Sequence, residues 1–182
     1  SAATSAPLAD AQVALHVRNG GSLFTRTGAD GTFSFPAVAR EMAVVQAELA
    51  GYKPGAELLL LAAQSEATVD LRLKTGPDPT PRPDLRILEV DKRQVVTDPV
   101  TLQASGQVKV TVLNLGRLAA AAGVRFTAFE DRNANRVLDA GVDLVLGTAT
   151  LPQLLAPSER VELDIPVSCE QLFRDNAVYV LA

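Results

Sequence analysis

The sequence predicts an all-β chain of two tandem sandwiches, and three features carry that prediction. Apolar and polar residues alternate strictly over short runs, as at 69–74 and 108–112, which is the period of a strand half buried in a sheet. Turn formers recur between such runs, with 12 glycines and 11 prolines in 182 residues, so the chain reverses often. The stretch 76–83, read as GPDPTPRP, is a proline-punctuated linker, semi-rigid and extended, that divides the chain into two pieces of domain size. The predicted organisation is a sandwich over 1–75, the linker over 76–83 and a second sandwich over 84–182.

Composition bounds the rest. Hydrophobic residues make up 47% of the chain while aromatics make up 4% and tryptophan is absent, so the cores are built from Val, Leu and Ala. A net charge of -4 with no Lys/Arg cluster argues against nucleic acid or an anionic membrane surface as a partner. The longest apolar run, 58–63, is far too short for membrane insertion. The first residues lack the basic and apolar regions of an export signal, so export has to be argued from other features. Cys169 is the only cysteine, which excludes an internal disulfide, a zinc cluster and a CxxC redox motif. It reads as a small buried hydrophobe; the alternative is a thiol that pairs outside the chain.

In the first piece, 1–6 is small and polar and frays. Val13, Leu15 and Val17 alternate with Ala14, His16 and Arg18, which puts His16 on the polar phase of a strand and predicts a surface residue. Asn19, Gly20, Gly21 and Ser22 make a tight hairpin into a returning strand over 23–27. Ala29, Asp30 and Gly31 turn the chain again; Asp30 is read as turn chemistry, not as a metal ligand. A strand is expected over 32–35, and another over 42–49, where helix propensity competes but the spacing of neighbours favours strand. Gly51 to Gly55 breaks the run, 57–63 carries another apolar segment, and 69–74 closes as a half-buried strand. The segments PLADAQV (7–13), TGADGTFSF (27–35), AGY (50–52) and VDLRL (69–73) resemble the carboxypeptidase regulatory-like (transthyretin-like, prealbumin-like) β-sandwich. That resemblance implies a non-catalytic accessory module of secreted and surface proteins.

In the second piece, strands are expected over 84–90, 108–113, 124–130, 144–150, 161–165 and 178–181, with short edge segments at 94–96 and 100–102. About seven short strands at regular spacing predict an immunoglobulin-like sandwich. The run 118–122 is too short for a stable helix and reads as a loop. The segments PDLRILEVD (83–91), VKVTVLNLG (108–116), FEDRNANRVLDAGVDLVLGTATL (129–151) and LAPSERVELDIPV (155–167) together resemble the bacterial cell-adhesion-related (CARDB-type) domain, a fibronectin-like sandwich. The resemblance implies a bacterial, extracellular or cell-surface protein.

Within that piece, 131–143 is the stretch with chemistry in it. Asp131, Asn133, Asn135 and Asp139 occupy its first, third, fifth and ninth positions, the Val137 carbonyl falls at the seventh, and Asp143 adds a further carboxylate. This is calcium-loop spacing, because a hard cation that takes six to eight oxygens needs short oxygen-bearing side chains converging from a tightly wound backbone. The helix-loop-helix pattern wants Gly sixth and Glu twelfth, where this chain has Arg136 and Val142. The flanks read as strands, so a calcium loop between two strands is expected, with Asp143 in place of the Glu. Three carboxylates held together without a cation would repel one another. The alternative reading is an Asn/Asp-rich turn that caps only its own backbone.

No catalytic constellation is visible. There is no G-x-S-x-G, H-E-x-x-H or phosphate-cradling glycine loop, and Glu159, Glu162 and Asp164 read as a solvated strand face. With no Trp, and with Tyr52 expected at a turn and Tyr179 in a sheet, sugar binding ranks low. The sequence therefore points to a structural or adhesion module whose partners are a protein or surface and the neighbouring domains of a longer chain. Two other readings stand beside it. One is the accessory region of a secreted hydrolase; the other is a self-associating filament subunit in which a sandwich accepts a neighbour's strand.

Overall fold

The structure, a computed structural model, describes residues 6–38, 41–61, 66–77, 80–170 and 177–182. Among the described residues there is no helix, and every strand pairing is antiparallel. The chain is all-β, in agreement with the alternating sequence pattern. It divides into two compact units, Ser1–Thr80 and Pro81–Ala182.

In the first unit, β1 (Gln12–Val17), β2 (Ser22–Arg26), β3 (Met42–Glu48) and β5 (Gly55–Leu60) form one sheet in the order β2-β1-β3-β5, and β4 (Tyr52–Lys53) pairs with β6 (Lys74–Thr75). Odd-numbered residues Val13, Leu15, Val17, Ala43, Val45 and Ala47 line the inner face. They pack against Phe33, Phe35, Val69, Leu71 and Leu73. The expected strands over 32–35 and 69–73 are not strands, although their alternate side chains do face the core. An extended segment laid over a sheet alternates wet and dry as a strand does, without joining a ladder. The turn before Phe33 is as read: Asp30 Oδ1 accepts the Thr32 N–H at 3.0 Å and the Thr32 hydroxyl at 2.7 Å. The fraying start at 1–5 and the end of the apolar run at 62–63 lie outside the described residues.

His16 corrects the sequence reading: it is 3% exposed. It does face away from the core, but its row of the sheet places it between Ser22 and Val44, with Phe24 edge-on at 6.4 Å. Its Nδ1 lies 2.7 Å from Ser22 Oγ. Burial lowers its pKa below the ordinary 6.5, opposed by hydrogen bonding from Gln46. Polar phase predicts exposure only where neighbours are too small to roof the position.

In the second unit, β7 (Leu85–Thr97), β8 (Gln103–Asn114) and β11 (Arg160–Glu170) form a sheet in the order β11-β8-β7. β9 (Arg125–Asp131), β10 (Leu144–Thr150) and β12 (Ala177–Leu181) form a second, in the order β10-β9-β12. Their facing sides share one aliphatic core that includes Val108, Val110, Val112, Phe126, Ala128 and Ile165. Among the described residues there are six strands here, where seven short ones were expected. The segment 94–96 is the continuation of β7, which stays in the ladder through two register shifts, at Ile87/Glu89 and Asp91/Gln94. At the second shift Asp91 grips the Arg93 guanidinium at 2.6 Å and the Arg93 N–H at 3.0 Å, which pulls the Asp91 carboxyl down to about 2. The segment 100–102 is a turn, with Asp98 Oδ1 accepting the Val100 and Thr101 N–H groups and Leu102 at φ 59°.

Asn114 ends β8 and is fully buried. Its Oδ1 accepts from Asp84 N at 3.2 Å and Gly116 N at 2.9 Å, while its Nδ2 donates to Leu118 O at 2.8 Å and Leu155 O at 3.0 Å. One carboxamide thus ties the entering chain to two loops. Gly116 lets the segments meet, because a Cβ there would collide with Arg82 O and Asp84 N.

Two outcomes are expected. Asn114→Ala removes the partner of four backbone groups, the buried Leu155 O among them, and should destabilise the second unit by about 3 kcal/mol in denaturant unfolding. Burial lowers the native His16 pKa below the ordinary 6.5 of the unfolded chain, so this contribution to the stability of the first unit is full above that pH and falls as pH drops below it. His16→Phe should flatten that part of the profile.

Candidate functional site

The stretch 131–143 joins β9 to β10. The two strands meet at Glu130↔Leu144, and the backbone of Asp131 pairs on its other side with Ala177 of β12. Glu130 and Asp131 are each 3% exposed, so the loop leaves the sheet from a buried base. Sequence reading missed Glu130. It shares its face of β9 with Phe126 and Ala128, both in the core, and strand parity was the signal for it. Its carboxylate holds Arg132 Nε at 3.1 Å. Burial, with the Glu130 charge adding to it, raises the pKa of the half-buried Cys169 thiol.

The predicted residues are brought together in one loop. Asp131 Oδ1 accepts from Asn135 N at 3.2 Å and its Oδ2 from Arg136 N at 2.8 Å. Asn133 Oδ1 accepts from Asn135 N at 3.2 Å and Asn135 Oδ1 from Val137 N at 2.7 Å. Asp139 Oδ2 receives the Asn133 and Asn135 amides at 2.8 and 2.6 Å, and those two donors hold its carboxyl below the usual range. Asp143 Oδ1 accepts from Arg132 N at 2.9 Å and its Oδ2 from Asp139 N at 2.7 Å, which closes the loop on itself. The repulsion expected among three carboxylates is relieved here by N–H donors. Among the described residues no three of His, Cys, Asp and Glu are grouped to hold a metal.

The donor set still fits a hard cation. It is oxygen only, as calcium prefers. Each carboxylate has about four lone-pair sites, and Asp131 and Asp143 use one per oxygen for the N–H bonds above. The backbone requirement at the sixth position is met in spite of the sequence. Arg136 sits at φ 64° and Ala134 at φ 59°, the left-handed winding for which glycine is the usual residue.

The first unit can be compared with known families at this point. Residues 1–74 match the carboxypeptidase regulatory-like domain. The regulatory-like domain is a non-catalytic β-sandwich module, and the match takes in 74 of the 182 residues. No curated protein and no solved structure matches the chain. In the first unit His16 is enclosed by sheet side chains, and in the second unit the carboxylates Glu159, Glu162 and Asp164, read as a solvated face, are spread along a wet strand and its approach. Glu162 reaches Lys109 at 3.3 Å, Glu159 Oε2 caps Ala156 N at 2.8 Å, and Asp164 is exposed.

The winding at Arg136 yields a test. A non-glycine residue in the left-handed region costs about 1 kcal/mol, so Arg136→Gly should raise the stability of the second unit by up to that amount in thermal unfolding. A loss would mean that the Arg136 side chain contributes more than its backbone strain removes.

Proposed function

We propose that the chain is a non-catalytic structural or adhesion module of a bacterial secreted or cell-surface protein, in which calcium stiffens the second sandwich. The observation that carries the reading is the oxygen-only loop 131–143, wound left-handed at its sixth position and rooted in the buried Asp131 between β10 and β12. The match of 1–74 to an accessory sandwich supports the non-catalytic part. The resemblance of 83–167 to the cell-adhesion-related domain supports the adhesive and extracellular part.

In this reading Asp131, Asn133, Asn135, Asp139 and Asp143, with the Val137 carbonyl, hold the ion, and Asp143 has the weakest claim because it stands one residue past the twelfth position, where the calcium-loop pattern has a bidentate Glu and this chain has Val142. Bound calcium supplies the positive charge that draws these oxygens together. The loop's own residues transmit the constraint, since Asp131 is at once ligand and ladder residue. The partners are a protein or surface ligand and neighbouring domains.

A thermal melt in chelator and in millimolar calcium tests the ion. Occupancy at about a hundredfold over the dissociation constant adds about 2.7 kcal/mol, and a rise of several degrees that magnesium does not reproduce is expected. Asp139→Ala should remove most of that rise while changing the chelator melt little, because its two amide bonds lie at the surface. No calcium shift in the parent protein would reduce the loop to turn chemistry.

A further inference from the structure

The hairpin between β1 and β2 carries a chemical liability that none of the preceding argument uses. Asn19 is exposed at the tip of this turn and is followed by Gly20. The chain's other asparagines, Asn114, Asn133, Asn135 and Asn176, precede Leu115, Ala134, Arg136 and Ala177. We propose that Asn19 is a site of spontaneous amide loss, converting to aspartate and isoaspartate through a cyclic imide closed by the Gly20 nitrogen.

The step balances without a co-reactant other than water. The Gly20 backbone nitrogen gives up its proton to solvent and attacks Asn19 Cγ; the new N–Cγ bond forms, the Cγ–Nδ2 bond breaks, and ammonia leaves with a proton. Water then opens the five-membered imide. Cleavage at the side-chain carbonyl restores the ordinary backbone and leaves Asp, while cleavage at the main-chain carbonyl routes the backbone through the side chain and leaves isoaspartate.

Structure and sequence favour this position over the others. Glycine has no Cβ to shield its nitrogen or restrict the rotation that ring closure needs. The hydrogen bond that must open first, Gly20 N–H to Val17 O, is 3.2 Å long, at the long end for such bonds. Elsewhere the amides are engaged: Asn114 Nδ2 donates to two buried carbonyls, and the Asn133 and Asn135 amides donate to Asp139. Conversion has a structural consequence. The Asn19 N–H donates to Glu41 Oε2 at 2.9 Å, so a carboxylate is created beside a carboxylate. Isoaspartate also adds a backbone atom to a turn whose strands are in register at His16↔Ser22, where Nδ1 and Oγ lie 2.7 Å apart.

The test ages the full chain in mildly alkaline buffer, with peptide mass mapping and enzymatic methylation of isoaspartate as readouts. Amide loss at Asn19 is expected to be about tenfold faster than at Asn114, Asn133 or Asn135, with isoaspartate the main product, and Gly20→Ala should slow it about tenfold by shielding the nitrogen. Because a Cβ at Gly20 would lie 3.1 Å from Val17 Cβ, Asn19→Gln is the second variant. It leaves Gly20 in place, enlarges the ring and should likewise stop the conversion. An Asn19 amide that survives while another asparagine is lost, or an unchanged rate in Gly20→Ala, overturns the proposal.

Discussion

Each unit is held at its entrance by one polar side chain that completes the hydrogen bonding of backbone leaving the sheet. In the second unit it is Asn114, whose single carboxamide makes four bonds to the entering strand and two loops. In the first it is Thr27, whose hydroxyl accepts from Ala11 N at 2.9 Å and donates to Leu8 O at 2.6 Å. Backbone donors and acceptors cannot be left dry and unpaired, and where a strand ends the ladder no longer supplies their partners. Cores made mainly of Val, Leu and Ala fix which face is buried. These two side chains fix where the chain enters and so the register of everything that follows.

The loop 131–143 is built on the same rule. Its Asp and Asn oxygens are occupied by loop N–H groups, so the N–H groups of Asn135, Arg136 and Val137 have partners where the backbone winds through the left-handed region at Ala134 and Arg136. A loop organised in this way holds its winding through hydrogen bonds of its own. Its root at Asp131 matters more than its tip. Asp131 is buried, belongs to β9 and pairs with β12, so whatever stiffens the loop also stiffens the sheet's C-terminal edge.

Buried polar groups recur where the sheets are roofed by their own side chains. His16 is enclosed on the outward face of the first unit's sheet, and the Glu130 carboxylate on β9 contacts Arg132 Nε at 3.1 Å. Both are central in their sheets, flanked by strands on either side. Neighbours on two strands, not polarity, decide whether such a position sees water.

Much was legible in the chain alone. The two-residue period marked β1, β8 and β11, short β-branched and aromatic runs marked β9 and β10, the spacing of neighbours marked β3, the Asp30 turn was read from its Asp-Gly pair, and oxygen spacing marked 131–143, because side-chain alternation and turn chemistry are local. The carboxypeptidase regulatory-like resemblance of the first piece was likewise carried by short segments, and residues 1–74 do match that domain. Tertiary structure alone decided what depends on distant neighbours. It placed 32–35 and 69–73 on the core without a ladder, ran β7 through two bulges as one strand, buried His16 and Glu130, and gave Arg136 the conformation expected of glycine. Alternation tells which side of a segment is dry; which other segment dries it, and whether it also supplies hydrogen bonds, is set by strands far away in sequence.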